Sequence, residues 1–593
     1  MHEETIDVVE TLQKQPSLDQ EFNNKDLMSS SSLRAASLAA AAALAACGGD
    51  GGGTSSGSSG TPDTVMPGRT VTLSATNSTQ LAVTDDAQVS RFLQQAQFAA
   101  TDADIAAVKS KGYKKWLEDE MAKSYGLAWE WLNRQGYSDV GKSDNNDCDN
   151  VIWSQLLSTN DVFRKRAALA LSEILVVSTN GLNFNWRTHA ITHYWDTLCI
   201  NAFGNYIDLL KAITLNVAMG YYLNTKGSVS KTGVQPDENF AREVMQLFTI
   251  GLVELDDGGN PVSGGQATYG AADVSALAHV YTGWDIDQKP GSNDPEFTRK
   301  PMKFDKNRHS SKTRVTALNG LIDLPMDMDG VAKLNTALEK LVSHPNTAPF
   351  VCKRLIQRLV TSNPSYAYVS DVAKVFRASN GDLARVFGAI LLHDDARKPV
   401  PKPVPAEFGK LREPMVRLVQ WARTFGVRSN SGRWQVGDLS DQGSQLGQSP
   451  LRAPSVFNFF KPGYAPPFTS LSPGTVAPEF QLVNETSVSG YLNYIMTTIK
   501  NGVSGSNDMQ ATYAKEQALA LSPTQASPSD LVQRLNVLLC GGQLSPATAG
   551  TITTVVGKIS VQNIKAPTEN EKKARVYAAV LMVMACAEYL IQK

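Results

Sequence analysis

Apolar residues recur at one-turn spacing through most of this chain and rarely alternate. From 161 to 177, Val162, Ala167, Leu171, Ile174 and Leu175 mark one face of a helix. The same spacing predicts helices over 186–215, 271–282, 331–341, 348–361, 369–378, 382–392, 410–425, 490–499, 529–540 and 571–591. Thr101 followed by Asp104 resembles a capping box with Asp in place of Glu, and Gly112 should break the helix it opens. Strand signal is confined to short pieces, chiefly a hairpin over 252–262 with Asp256-Asp257-Gly258-Gly259 at its turn. The predicted class is therefore mainly α, a multi-helix globular body with a small β-hairpin and long Pro/Gly-rich loops.

The stretch 237–251 organises the rest. Asp237 is a good N-cap, because its carboxylate can accept from an orphan N–H of the first turn. Gly251 is a natural stop. At ~100° per residue, Phe240, Ala241, Val244, Met245, Leu247 and Phe248 fill one side. Glu238, Asn239, Arg242, Glu243 and Gln246 fall on an arc of roughly 140° on the other. Two readings stay open for that arc: a solvated face, or a polar cluster lining a cleft. Only desolvation by neighbours would let these carboxylates do acid–base work.

Composition then bounds the class. The chain has 593 residues, more than one core usually needs, so several packed sub-domains are expected. It is 42% hydrophobic and 19% charged, ordinary for a globular protein. The net charge of -1 argues against a nucleic-acid partner. No apolar run reaches the roughly 18 residues of a membrane-spanning helix.

The N-terminus carries an address. The Ala-rich run 35–46 leads into Leu44-Ala45-Ala46-Cys47-Gly48, which resembles a bacterial lipobox with Cys47 as the lipidated residue. Residues 1–46 are thus expected to be a signal peptide. The stretch before the apolar run is long and acidic for an n-region, which points to Met28 as the true start. Residues 47–85 read as the anchor and a flexible linker, Gly/Ser-rich from Gly48 to Gly60, with Thr61 to Val83 either linker or a short edge strand. Gly48 in place of Asp resembles the sorting rule that sends Gram-negative lipoproteins to the outer membrane, facing periplasm or surface. The body is expected to start near Asp86, with one helical part over 86–400 and another over 401–593. The latter contains a Pro/Gly/aromatic loop at 428–478, long enough to suggest a packed element. The five remaining cysteines are odd in number and widely spaced, so no disulfide framework is implied; all but Cys148 sit in apolar helical surroundings.

Several motifs taken together resemble the bacterial domain-of-unknown-function 1800 family. They are Glu238 through Gly251; Asp273-Val274 with Ala278-His279-Val280-Tyr281-Thr282-Gly283-Trp284; His309 with Lys312; His344-Pro345-Asn346-Thr347-Ala348; Gly409-Lys410-Leu411-Arg412-Glu413-Pro414; and Leu446-Gly447-Gln448-Ser449-Pro450-Leu451 with the run from Pro454 to Tyr464. The tail from Ala587 to Lys593 fits too. The resemblance implies a large, helical, exported protein and names no reaction. It also implies a partner from a second exported family with a sulfatase-like look, whose genes commonly neighbour these. Where many members carry an aromatic- and His-rich stretch, this chain has Leu171 to Ser178, and where many carry Arg it has His279.

Candidate chemistry is sparse. Glu238 or Glu243 is the candidate acid/base with His309 assisting, and Arg242, Asn239, His279, Trp284 and Lys312 are the candidate ligand-binding set. Ser275 shares a helix face with His279. Trp284 with Phe457, Phe459, Phe460 and Tyr464 offers an aromatic platform or, more commonly, core. His189, His193 and Asp196 share a helix face and form a weak metal candidate, without the Glu of a metalloprotease helix. No nucleophile elbow, P-loop, dinucleotide fingerprint or paired Cys-x-x-Cys appears, and no cofactor is expected. Two functions follow as expectations: an envelope binding or assembly factor, or an envelope hydrolase acting on a polysaccharide or peptide polymer through carboxylate and His.

Overall fold

Thr101 caps its helix as the sequence predicts: its hydroxyl accepts from Asp104 N–H at 3.2 Å while Asp104 Oδ2 accepts from Thr101 N–H at 3.2 Å. The helix Asp102–Ala122 kinks where Gly112 takes φ 78°, a conformation L side chains avoid. The computed structural model describes residues 65–74, 83–136, 145–230, 235–310, 313–398, 408–469, 471, 474–503, 508–521, 528–563 and 566–593. Within them the fold is mainly α, with short two-stranded sheets. The helices Gly330–Ser343, Thr347–Leu359, Leu383–Leu392 and Ser529–Cys540 lie where turn spacing places them, because each carries its own apolar stripe. The run 186–215 is two helices, Arg187–Asn201 and Tyr206–Thr214. The helices Asn145–Ser158, Val217–Tyr222 and Pro546–Gly557 were not legible from periodicity.

Residues Val65–Lys593 make one compact unit. Of the two readings for this stretch, linker or short edge strand, residues 65–74 take the second at Val65–Met66. Val65–Met66 pairs antiparallel with Tyr125–Gly126, and Leu73 is buried. The Arg69 guanidinium donates to Asp382 Oδ1 at 2.9 Å. These are distant partners that local composition cannot reveal. Cys47, the lipobox and the Gly/Ser run lie outside the described residues.

The predicted hairpin forms: Leu255 pairs with Pro261, and Asp256 N–H donates to Asn260 O at 2.9 Å. Asn346 holds it from the next motif, donating to Ile250 O at 2.8 Å and Val253 O at 2.7 Å and accepting from Leu255 N–H at 2.9 Å. The loop within 428–478 is tightly packed where it carries Leu446, Gln448, Ser449, Leu451 and Phe460, all buried. The chain's end returns to the middle. Ile591–Gln592 pairs antiparallel with Lys410–Leu411, and Arg412 donates to Tyr589 O at 2.8 Å and to Gln94 Oε1 at 3.0 Å. Cys148, set apart from the other cysteines by sequence, is buried as well.

Candidate functional site

The organising stretch is one helix with two geometries. Asn239–Glu243 is α-helical and Val244–Phe248 is π-helical. Asp237 Oδ1 accepts from Asn239 N–H at 2.9 Å, so the predicted cap is made. At the other end, Ile250 and Gly251 both donate to Met245 O, at 3.0 and 2.9 Å, and the Thr249 hydroxyl donates to Val244 O at 2.6 Å. The expectation of a regular α-helix is corrected over this wider last turn, and Phe248 O, at the helix end, accepts from Tyr206 Oη at 2.6 Å. Gly251 takes φ 71°, and a Cβ there would meet the Phe350 ring at 2.8 Å, so the stop is tertiary as well as local.

The two carboxylates part company. Glu238 stays partly exposed, 3.2 Å from Arg242 Nη2, and accepts from the Ser275 hydroxyl on the helix Ala271–Ala278. Glu243, at the edge of the polar arc, is buried, and its Oε2 has no hydrogen-bond partner. It faces Tyr222 and Tyr269, and burial pushes its pKa up to about 7. Of the two readings left open for the arc, Glu238 thus takes the solvated one and Glu243 the desolvated one. A 100° wheel cannot say which neighbour overlies an arc's edge.

The two histidines do come together. His279 Nδ1 lies 2.7 Å from Ser310 Oγ, and Ser310 N–H donates to Thr282 Oγ1 at 3.0 Å. His309 Nδ1 lies 3.0 Å from Thr282 O, so this nitrogen carries the proton and Nε2 is the bare base; Nε2 is buried without a partner. Ser230 and Thr313 hydroxyls complete the cluster at 3.2 and 3.1 Å from Ser310 Oγ. Lys333 is buried beside it, donating to Thr313 O and Met326 O, both at 3.3 Å. Burial lowers both imidazole pKa values, and the Lys333 charge adds to that, so both rings are neutral at pH 7. Ser275 and His279 lie one turn apart, so the Glu238 contact and the His279 contact share a side of that helix. Gly283 permits the approach, because a Cβ there would lie 2.8 Å from Asp305 O and 3.0 Å from His309.

Other candidates separate. Trp284 is buried against Phe304, with ring centroids 5.2 Å apart, and Phe460 lies under the Arg358 guanidinium at 4.6 Å. Trp284 thus follows the commoner of the two readings, core, and its candidacy as a ligand-binding residue has no support from this packing. Lys312 lies outside the described residues. His189 is buried between Trp129 and Trp186, 4.9 Å from each ring, and burial pushes His189 and His193 down to about 4. Asp196 accepts from Ala128 N–H at 2.7 Å and Trp129 N–H at 2.9 Å, capping the helix Ala128–Arg134. Each of its oxygens already accepts a backbone N–H there, so it is a poor third ligand, and among the described residues no three His, Cys, Asp or Glu side chains are placed to hold a metal ion. Asp196→Ala should strand two buried N–H groups and cost about 2–4 kcal/mol. Urea unfolding checks this, and a loss below the surface-substitution range of about 0.5 kcal/mol would refute the capping role.

A second cluster escaped the sequence reading. Arg166, Glu173, Arg358, Lys410, Glu413 and Glu479 are all buried. Lys410 Nζ lies 3.1 Å from Glu479 and 3.5 Å from Glu413, and donates to Arg358 O at 2.9 Å. Gln448 donates to Glu413 Oε2 at 2.8 Å, and Arg166 to Arg358 O at 2.7 Å. Glu173 faces Arg358 Nε at 3.3 Å, yet neither of its oxygens takes a hydrogen bond. It borders a cavity of about 10 Å³ with Ser172, Met415, Leu451, Asn458 and Phe459, room for about one water. The motifs around Lys410, Gln448 and Asn458 served only as family markers, and their convergence was the missed signal. Elsewhere a cleft of about 600 Å³ opens between Ile105 and Leu538, but its charged rim is self-paired: Asp86 with Lys109 at 2.7 Å, and Asp102 with Arg534 at 2.9 Å.

A family model described as "Protein of unknown function (DUF1800)" matches residues 91–591. Neither a curated protein nor a solved structure matches the chain.

Proposed function

This chain belongs to the DUF1800 family, and from that premise we propose that it is a cell-envelope lipoprotein, anchored through Cys47 at the outer membrane, that works as a binding or assembly factor. The observation that carries binding over catalysis is the parting of Glu238 and Glu243. One carboxylate is tied to a surface serine and an arginine, the other is shut away beside tyrosines, and His309 bonds to Thr282, so neither carboxylate is paired with the histidine that would assist it. What Glu238, Arg242, Asn239, Ser275 and His279 do offer is a polar, partly exposed strip on a rigid helical base. Such a strip suits hydrogen-bonded recognition of another exported protein, a member of the sulfatase-like family among the expected partners. A second reading, a hydrolase of an envelope polysaccharide or peptide polymer, draws support from one feature. His279 and His309 meet around Ser310 and Thr282 beside Lys333, with a bare nitrogen on His309.

The test is co-purification of the full chain from membranes, followed by mass spectrometry, with wild type beside Glu238→Lys. The charge-reversed variant should keep its unfolding midpoint within about 0.5 kcal/mol, as expected of a surface change, and lose the partner. Retention of the same partners at full yield would remove the strip from the interface. Cys47→Ser should release the protein into the soluble fraction; continued membrane association would remove the lipid anchor. Polymer cleavage abolished by His309→Ala would favour the second reading.

A further inference from the structure

Cys540 ends the helix Ser529–Cys540, where Gly541 takes φ 59° and stops it. Cys586 sits at the break between the helices Glu569–Ala585 and Ala587–Leu590. These elements pack together: Arg412 Nη1 donates to Leu539 O, next to Cys540, at 3.3 Å and to Tyr589 O, three residues past Cys586, at 2.8 Å, and each thiol perturbs the other's ionisation. Cys540 is fully buried, whereas Cys586 is half-buried and also donates to Val583 O at 3.1 Å. We infer that Cys540 and Cys586 are a redox pair, which a disulfide-bearing oxidant converts to an intramolecular disulfide through initial attack by Cys586.

The roles follow from access. An oxidant can reach Cys586 and cannot reach Cys540. Cys586 gives up its proton, and its thiolate attacks one sulfur of the oxidant. The oxidant's S–S bond breaks, and its other half leaves as a thiolate that takes up a proton. Cys540 then loses its proton and attacks the Cys586 sulfur, expelling the second half of the oxidant as a thiol. Two protein thiols give up two hydrogens, and one oxidant disulfide becomes two thiols. The contact with Cys540 lowers the Cys586 thiol pKa, while burial raises that of Cys540, consistent with this order. The other described cysteines differ: Cys148, Cys199 and Cys352 are fully buried, and burial raises all three thiols. The consequence is mechanical. Arg412 reaches Leu539 O and Tyr589 O, at 3.3 and 2.8 Å, so the new bond would tie the two segments that this guanidinium already clasps. The inference is independent of the proposed address and partner, since it concerns chemistry of the purified chain.

The experiment treats the reduced full chain with oxidised glutathione and reads intact mass and tryptic peptides. Wild type should lose two hydrogens and yield one species linking the Cys540 and Cys586 peptides. Cys540→Ser should instead keep a stable glutathione adduct on Cys586, and Cys586→Ser should leave Cys540 unmodified. Cys47 falls on a separate peptide and is read on its own. A wild-type chain that stays reduced, holds a stable adduct at Cys586, or links a different pair would overturn the inference. The wild-type peptide map suffices if either variant fails to fold.

Discussion

Lys410→Met should lower stability by about 3–5 kcal/mol, the cost of breaking a buried ion pair from one side. The ammonium is within 3.1 and 3.5 Å of two buried carboxylates, Glu479 and Glu413, and donates to Arg358 O. Methionine fills the same volume without the charge, so the side-chain packing survives and two anions lose a shared cation. The backbone pairing of Lys410–Leu411 with Ile591–Gln592 is untouched. The control is Lys374→Ala, whose ammonium pairs with Asp371 at the surface at 3.0 Å. That pair is screened and should contribute less than about 1 kcal/mol. Urea midpoints of the two variants settle the matter. If they shift equally little, the cluster does not depend on the lysine's charge.

Glu173 should make the protein lose stability as pH rises through neutrality. Burial, then the neighbouring Glu413, pushes its carboxyl up from 4.5 to about 8. Glu413 moves the other way, because Lys410, Arg358 and Arg166 face it and Gln448 donates to it. The pair thus holds one proton, and Glu173, whose oxygens lack donors, keeps it. Between pH 4.5 and about 8 the folded chain retains that proton while the unfolded chain has released it. The folded state binds more protons, so unfolding free energy falls with pH, by at most about 1.4 kcal/mol per unit. Glu173→Gln should remove this slope, unfolding like wild type near pH 5 and at higher urea than wild type near pH 8. Glu243 contributes the same sign up to about pH 7, and His189 and His193 the opposite sign between about 4 and 6.5. The difference between wild type and Glu173→Gln isolates the one group. Parallel pH profiles would mean that Glu173 is ionised in the fold.

Residues alone are enough for the helical class, most helix positions, the Thr101 cap, the Gly112 kink, the hairpin turn and the family. Apart from the family, whose motifs are spread from 238 to 593, each of those signals is carried by residues within about one turn of one another, where backbone hydrogen bonding and turn-spaced packing act. Tertiary structure decided everything that depends on distant partners. It sent Glu243 inward and left Glu238 at the surface, although both lie on one polar arc. It engaged Asp196 at the start of another helix and turned Trp284 into core. It gathered charges from Arg166 to Glu479 into one buried cluster and set Cys540 beside Cys586. A side chain's ionisation, reach and partner depend on what covers it, and that cover comes from segments tens to hundreds of residues away, whose docking no local periodicity records.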